Sequence, residues 1–137
     1  MSAVVIDSSI ALSWCFEDEA SPETDELFER VRGEGAIVPG LWHLELGNVL
    51  LQAEKHGRIS SKDVTLRLDL IAELPIVTDQ ETTVRSWREI LTMARADGLT
   101  TYDATYLELA VRRGIPLFTK AKELVRAARR LGVQVFP

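Results

Sequence analysis

Short apolar runs alternate with helix-patterned segments along the whole chain, and that alternation restricts the fold more than any other feature. Ala3-Val4-Val5-Ile6 stops at Asp7, and Ile37-Val38, Pro75-Ile76-Val77, Ile115 to Thr119 and Val133 to Phe136 follow at intervals. The first run is continuous in hydrophobicity, as a strand covered on both faces requires. Strands separated by helices pair in parallel through right-handed crossovers, with helices on both faces. The expectation is an α/β three-layer sandwich: a central parallel sheet of about five short strands flanked by helices. With 137 residues, 46% of them hydrophobic, the chain can bury about two-thirds of its unfolded surface as a single domain over 1–137.

Helix signals fill the intervals. Ser8 and Ser9 offer an N-cap to a short helix carrying Ile10, Ala11, Trp14 and Cys15, which Glu17-Asp18-Glu19 closes. Ser21-Pro22 restarts the chain as a helix that turns Leu27, Phe28 and Val31 inward and ends at Gly33 and Gly35. Pro39-Gly40 leads into a helix over 42–56, with Leu46, Val49, Leu50 and Ala53 on its apolar face and Glu45, Asn48 and Gln52 aligned on another. A capping box from Ser60 to Asp63 opens a helix through Val64, Leu66, Leu68, Leu70, Ile71 and Leu74. Asp79 caps one reaching Ala96, with Trp87, Ile90, Leu91 and Ala94 inward and Asp97-Gly98 as its stop. The last helix covers 121–131 and stops at Gly132.

The stretch LTTYDATYLELA, 99–110, sets Asp103 at the start of an apolar helix. Thr100 to Asp103 has the spacing of a capping box, which by itself gives the acid a structural role. Two further acids change the picture. Asp7 falls at the carboxyl edge of the first strand, where parallel sheets place their ligands, and Glu45 falls in the first turn of its helix. Carboxylates within about 4 Å repel by on the order of 4 kcal/mol at an effective dielectric of about 20, so a chain that gathers them implies a cation. With oxygen donors only, Mg²⁺ or Mn²⁺ is indicated rather than zinc. Such ions act on phosphates by activating water and neutralising the leaving oxygen, so phosphodiester hydrolysis is the expected chemistry.

The net charge of -5 argues against a generally basic nucleic-acid binder, but from Arg112 to Arg130 seven basic residues face the single acid Glu123. Arg112, Arg113, Lys120, Lys122 and Arg126 are therefore candidates for phosphate contact, the alternative being a solvated face or helix C-termini. The lone Cys15 forms no internal disulfide. No charged-then-apolar leader and no apolar run near 18 residues is present, so the expectation is a reducing cytoplasm and no membrane. His43 and His56 read as surface or capping residues, and Trp14, Trp42 and Trp87 as core or partner contacts rather than base-stacking platforms.

The strand ending in Asp7-Ser8-Ser9, the Pro39…Glu45-x-x-Asn48 helix, Gly98-Leu99…Tyr102-Asp103-Ala104…Tyr106-Leu107…Leu109-Ala110, and Pro116-Leu117-Phe118-Thr119 together resemble a PIN domain of the VapC toxin type, from end to end. The resemblance implies a Mg²⁺- or Mn²⁺-dependent endoribonuclease acting on structured RNA such as tRNA. It also implies a homodimer and inhibition by a small VapB-type antitoxin, sought in the groove between the first two helices and the Trp42 helix. Asp7, Glu45 and Asp103 would hold the metal and position the attacking water, with Ser8, Asn48 and Thr119 in support.

One position departs from the family pattern. A further acid is expected just after the fourth strand, as Thr-x-Asp-x-x-Leu, and the chain reads Thr119-Lys120-Ala121-Lys122-Glu123-Leu124. Natural loss, replacement by Glu123, and a deliberate Asp→Ala change each account for Ala121. Glu123 is poorly placed, since two helical residues rotate a side chain by about 200°. Low cleavage activity is the expectation, and the alternative function is a PIN-like module that binds RNA or protein without cutting. A phosphoacceptor receiver is disfavoured because Asp7 is followed by serines, and dinucleotide binding because no G-x-G-x-x-G occurs.

Overall fold

The computed structural model describes residues 3–136. Five parallel strands, β1 (Val4–Ile6), β2 (Ala36–Val38), β3 (Ile76–Thr78), β4 (Leu117–Phe118) and β5 (Val135–Phe136), form one sheet in the order β3-β2-β1-β4-β5. The expected α/β class and strand number are those observed. β1 and β2 are buried throughout and the edge strands β3 and β5 are not. The continuous apolar runs of β1 and β2 are thus what a two-sided interior demands.

The helices are α1 (Ser8–Ser13), α2 (Pro22–Glu34), α3 (Leu41–Lys55), α4 (Ser61–Ala72), α5 (Thr82–Arg85), α6 (Leu91–Asp97), α7 (Thr101–Arg113) and α8 (Lys122–Arg130). α7 is the central one: Ala104 to Ala110 are all buried, against β1, α6 and α8. α2 begins with the full capping box of Ser21 and Thr24, and α6 and α7 end on left-handed Gly98 and Gly114 (φ 65° and 66°).

Several local expectations are corrected. The N-cap of α1 is Asp7 itself, whose carboxylate accepts from the Ile10 amide, rather than Ser8 or Ser9. Gly33 lies inside α2, which ends at Gly35. Glu45 sits in the second turn of α3, because the helix already starts at Leu41. Leu66 and Leu70 on α4 are exposed, while Ile71 and Leu74 reach the core. The helix expected from Asp79 to Ala96 is interrupted by a π-helical turn over Ser86–Ile90. One extra residue per turn rotates the register, so Ile90 and Ala94 stay inward while Trp87 is 90% exposed. Trp42 is buried, and Trp14 packs edge-on against Phe28. His43 and His56 are exposed, and Cys15 is buried and unpaired.

Candidate functional site

The strand order changes direction between β1 and β4: the chain leaves β1 for β2 on one side and β4 is added later on the other. Crevices open at such a switch point, beyond the carboxyl ends of the strands. Ile6 pairs with Phe118, so the next residue on each strand, Asp7 and Thr119, face each other across that opening. Thr119, fully buried, donates its hydroxyl to one oxygen of Asp7, and Ser9 donates to the other at 2.6 Å. These hydroxyls are in turn fixed by the following loop, where the Lys120 amide donates to Ser9 Oγ and the Ala121 amide to Thr119 Oγ1, each at 3.0 Å. Ser9 was not foreseen as a supporting residue. Its signal was a second hydroxyl at hydrogen-bonding range from a strand-end acid, which sequence reading assigned to capping.

Glu45 and Asp103 complete the acidic set. The Thr100 hydroxyl accepts from the Asp103 amide at 3.0 Å, as its capping role requires. The Asp103 carboxylate itself makes no hydrogen bond among the described residues. Glu45 receives the hydroxyl of Tyr106, which comes from α7, and the Ser8 hydroxyl also steadies its charge. Asn48 is exposed one turn along α3 from Glu45 with no side-chain hydrogen bond among the described residues.

The acids share an electrostatic neighbourhood. Burial pushes the Asp7 carboxyl above its ordinary value, and the charge of Asp103 adds to that, against the lowering bonds from Ser9, Thr119 and Ile10. Burial also raises Glu45, with Asp7 and Asp103 contributing further, and Tyr106 and Ser8 opposing. Asp103 is raised by burial and by Glu123. Glu123 is exposed and paired with Arg126 at 3.5 Å, yet its charge reaches the pocket from the first turn of α8.

Among the described residues, no group of three or more His, Cys, Asp or Glu side chains is arranged to hold a metal ion. Both oxygens of Asp7 already accept protein donors, whereas Asp103 is uncommitted. An all-oxygen set of this kind, anionic and incomplete, fits a hard cation that retains most of its waters and takes one or two carboxylates from the protein. It does not fit zinc, which prefers four direct nitrogen or sulfur ligands. Ala121 occupies the N-cap of α8 with extended dihedrals (φ -77°, ψ 115°) and caps nothing.

The basic residues expected to act together divide into two groups. Lys120, Lys122, Arg126 and Arg129 line a groove of about 680 Å³ that begins at Thr119. Arg112 and Arg113 are engaged elsewhere: both hold the fully buried Asp79 carboxylate, at 3.0 and 3.2 Å, and Arg112 also pairs with Glu108 at 2.8 Å. Arg130 is held by Asp97 at 2.6 Å. The signal for this division was absent from charge counting, because Asp79 and Asp97 lie far away in sequence from the arginines they hold.

No curated protein matches the chain significantly in sequence. Among solved structures, the fold is similar to PAE2754 from Pyrobaculum aerophilum, with a TM-score of 0.73 and 21% identity over 98% of this chain and 83% of that one. The model of the PIN domain family matches residues 4–130. That match runs from β1 to the end of α8 and takes in every strand-end and helix-start acid described above, and the chain belongs to the PIN domain family.

Proposed function

We propose that this protein is a Mg²⁺- or Mn²⁺-dependent endoribonuclease of the VapC toxin type, hydrolysing phosphodiester bonds in structured RNA such as tRNA. PIN domains are in general metal-dependent nucleases. The observation that carries the reading is the set of Asp7, Glu45 and Asp103 about the β1/β4 switch point: each carboxyl is raised by burial, Asp7 also by the charge of Asp103, and Glu45 also by the charges of Asp7 and Asp103. Buried like charges are costly without a counter-charge, and a divalent cation is the one that suits oxygen donors. When bound, such a cation would polarise the phosphate and favour ionisation of a nearby water.

The chain's own residues would divide the remaining work. Asp7 is immobilised by Ser9 and Thr119 and would serve as the fixed anchor. Asp103, whose carboxylate makes no hydrogen bond among the described residues, would orient the attacking water. Lys120, Lys122 and Arg126, with Arg129, would hold RNA phosphates along the groove that starts at Thr119. Arg112 and Arg113 are not assigned this role, since releasing them would strand the Asp79 charge.

Two partners belong to the reading. A groove of about 380 Å³ lined by Trp14, Phe16, Phe28, Arg67 and Leu70 lies between α1, α2 and α4, and its apolar floor suits one helix of a VapB-type antitoxin. Its far wall is α4 rather than the Trp42 helix. A homodimer would use the exposed face around Trp87. No helix of the described residues is long and apolar enough to cross a membrane.

The test is titration of Mn²⁺ into the chain and its Ala121→Asp variant, followed by incubation of both with a tRNA pool. Tighter Mn²⁺ binding and cleavage by Ala121→Asp, with weak or no cleavage by the parent, is the expected result. A second reading, a module that binds RNA or protein without cutting, is favoured by Ala121 and by the incomplete acid shell. Failure of both proteins to bind Mn²⁺ would establish it in place of the first.

A further inference from the structure

We infer that Tyr106 is a positioning residue for Glu45: its hydroxyl binds one oxygen of that carboxylate and couples the acid on α3 to the helix that carries Asp103. The inference rests on the metal-centre reading above. Tyr106 follows Asp103 by three residues, a spacing that sets side chains side by side on a helix. It is 1% exposed and the largest of the fully buried side chains, so its ring is held by the core and its hydroxyl is delivered to a fixed point.

The chemistry of the pair is selective. A buried tyrosine hydroxyl requires a partner, and the only hydrogen bond it makes among the described residues is to Glu45. Packing alone would be satisfied by phenylalanine. Apart from the Tyr106 bond and the Ser8 hydroxyl near it, Glu45 is a half-buried side chain with several rotatable bonds, on a helix that carries no other acid of the site. Without the tether its carboxylate would sample rotamers away from Asp7 and Asp103, and a cation would have to order it on binding.

Tyr106→Phe removes one oxygen and keeps the ring. Mn²⁺ affinity is measured by calorimetry for the full chain and for the Ala121→Asp variant, each with and without Tyr106→Phe, alongside thermal melts in chelator. The expected result is about a tenfold to hundredfold weaker Kd with a melting temperature within a few degrees of the parent. An unchanged Kd would overturn the inference while leaving the metal centre standing. A weaker Kd accompanied by a collapsed melting temperature would assign the loss to the fold and also overturn it. If neither parent binds Mn²⁺, the metal-centre reading fails, and the positioning role fails with it.

Discussion

Asp103 is the residue at which two demands on one side chain come apart. Its amide is used by Thr100 to start α7, while its carboxylate is left unbonded in a pocket that burial and Glu123 make unfavourable for charge. A carboxyl raised in the folded state binds its proton more tightly there than in the unfolded chain. Its cost is therefore absent at low pH and fully present once the pH exceeds the folded value. Neutralising it should help the metal-free fold at pH 7. Asp103→Asn keeps the amide and the helix start, and is expected to stabilise the metal-free fold in chelator by on the order of 0.5 kcal/mol, seen as a higher melting temperature, while reducing Mn²⁺ binding. Equal melting of the two proteins at pH 7 and at pH 4 would remove the electrostatic argument. Sequence reading singled out Asp7 at a strand end, Asp103 at a helix start and Glu45 in an expected first helical turn as candidates. It could not find the Ser9 and Tyr106 tethers, since a hydroxyl's partner is decided by register between strands and by the angle between helices.

At the scale of elements, the sheet was legible and the path from β3 to α7 was not. Each of the five apolar runs marks a strand; those of β1 and β2 are continuous because a strand buried on both faces tolerates little else. The segment after β3 carries ordinary helical spacing, and the π-helical turn over Ser86–Ile90 breaks it without a proline or glycine to announce the break. What anchors this region is an ion-pair cluster linking the β3–α5 loop to α7: Asp79 with Arg112 and Arg113, and Glu108 with Arg112. Burial alone would push the Asp79 carboxyl up, but bonds from Arg112, Thr82 and Arg113 outweigh it and hold it well below the usual carboxylate range. Such a lowered group contributes stability that is whole above the unfolded value of about 3.9 and is lost as the pH falls below it. Arg112→Ala leaves Asp79 and Glu108 buried without their shared partner and is expected to cost about 3 kcal/mol by urea denaturation at pH 7. Its loss should shrink as the pH is lowered towards 3, where Asp79 in the unfolded chain takes up its proton. A cost below about 1 kcal/mol at pH 7 would show that the cluster is an ordinary surface network.

For the whole molecule, we propose that a second copy covers the face beside Asp103. A groove of about 520 Å³ runs between the start of α3, the end of β3, the π-helical turn and the start of α7, with Leu41, Trp87, Leu91 and Tyr102 in its lining. Val84 in the preceding turn and Leu44 one turn along α3 are also exposed. An exposed tryptophan with aliphatic neighbours marks a protein contact more often than a stacking platform for bases, which would also call for surplus positive charge. Here there is no surplus positive charge: Arg85 is paired with both Glu81 and Glu89. A face that is apolar at its centre and ion-paired at its rim can meet its own image across a twofold axis. Because Tyr102 adjoins Asp103, a copy seated there would border the acid pocket and narrow its entrance. Sedimentation velocity at micromolar concentration is expected to show a dimer, and Trp87→Arg a monomer that melts within a few degrees of the parent, since the side chain it replaces packs against nothing within its own chain's core. A parent that sediments as a monomer would leave this face to another partner. A dimer indifferent to Trp87→Arg would move the interface to a different surface.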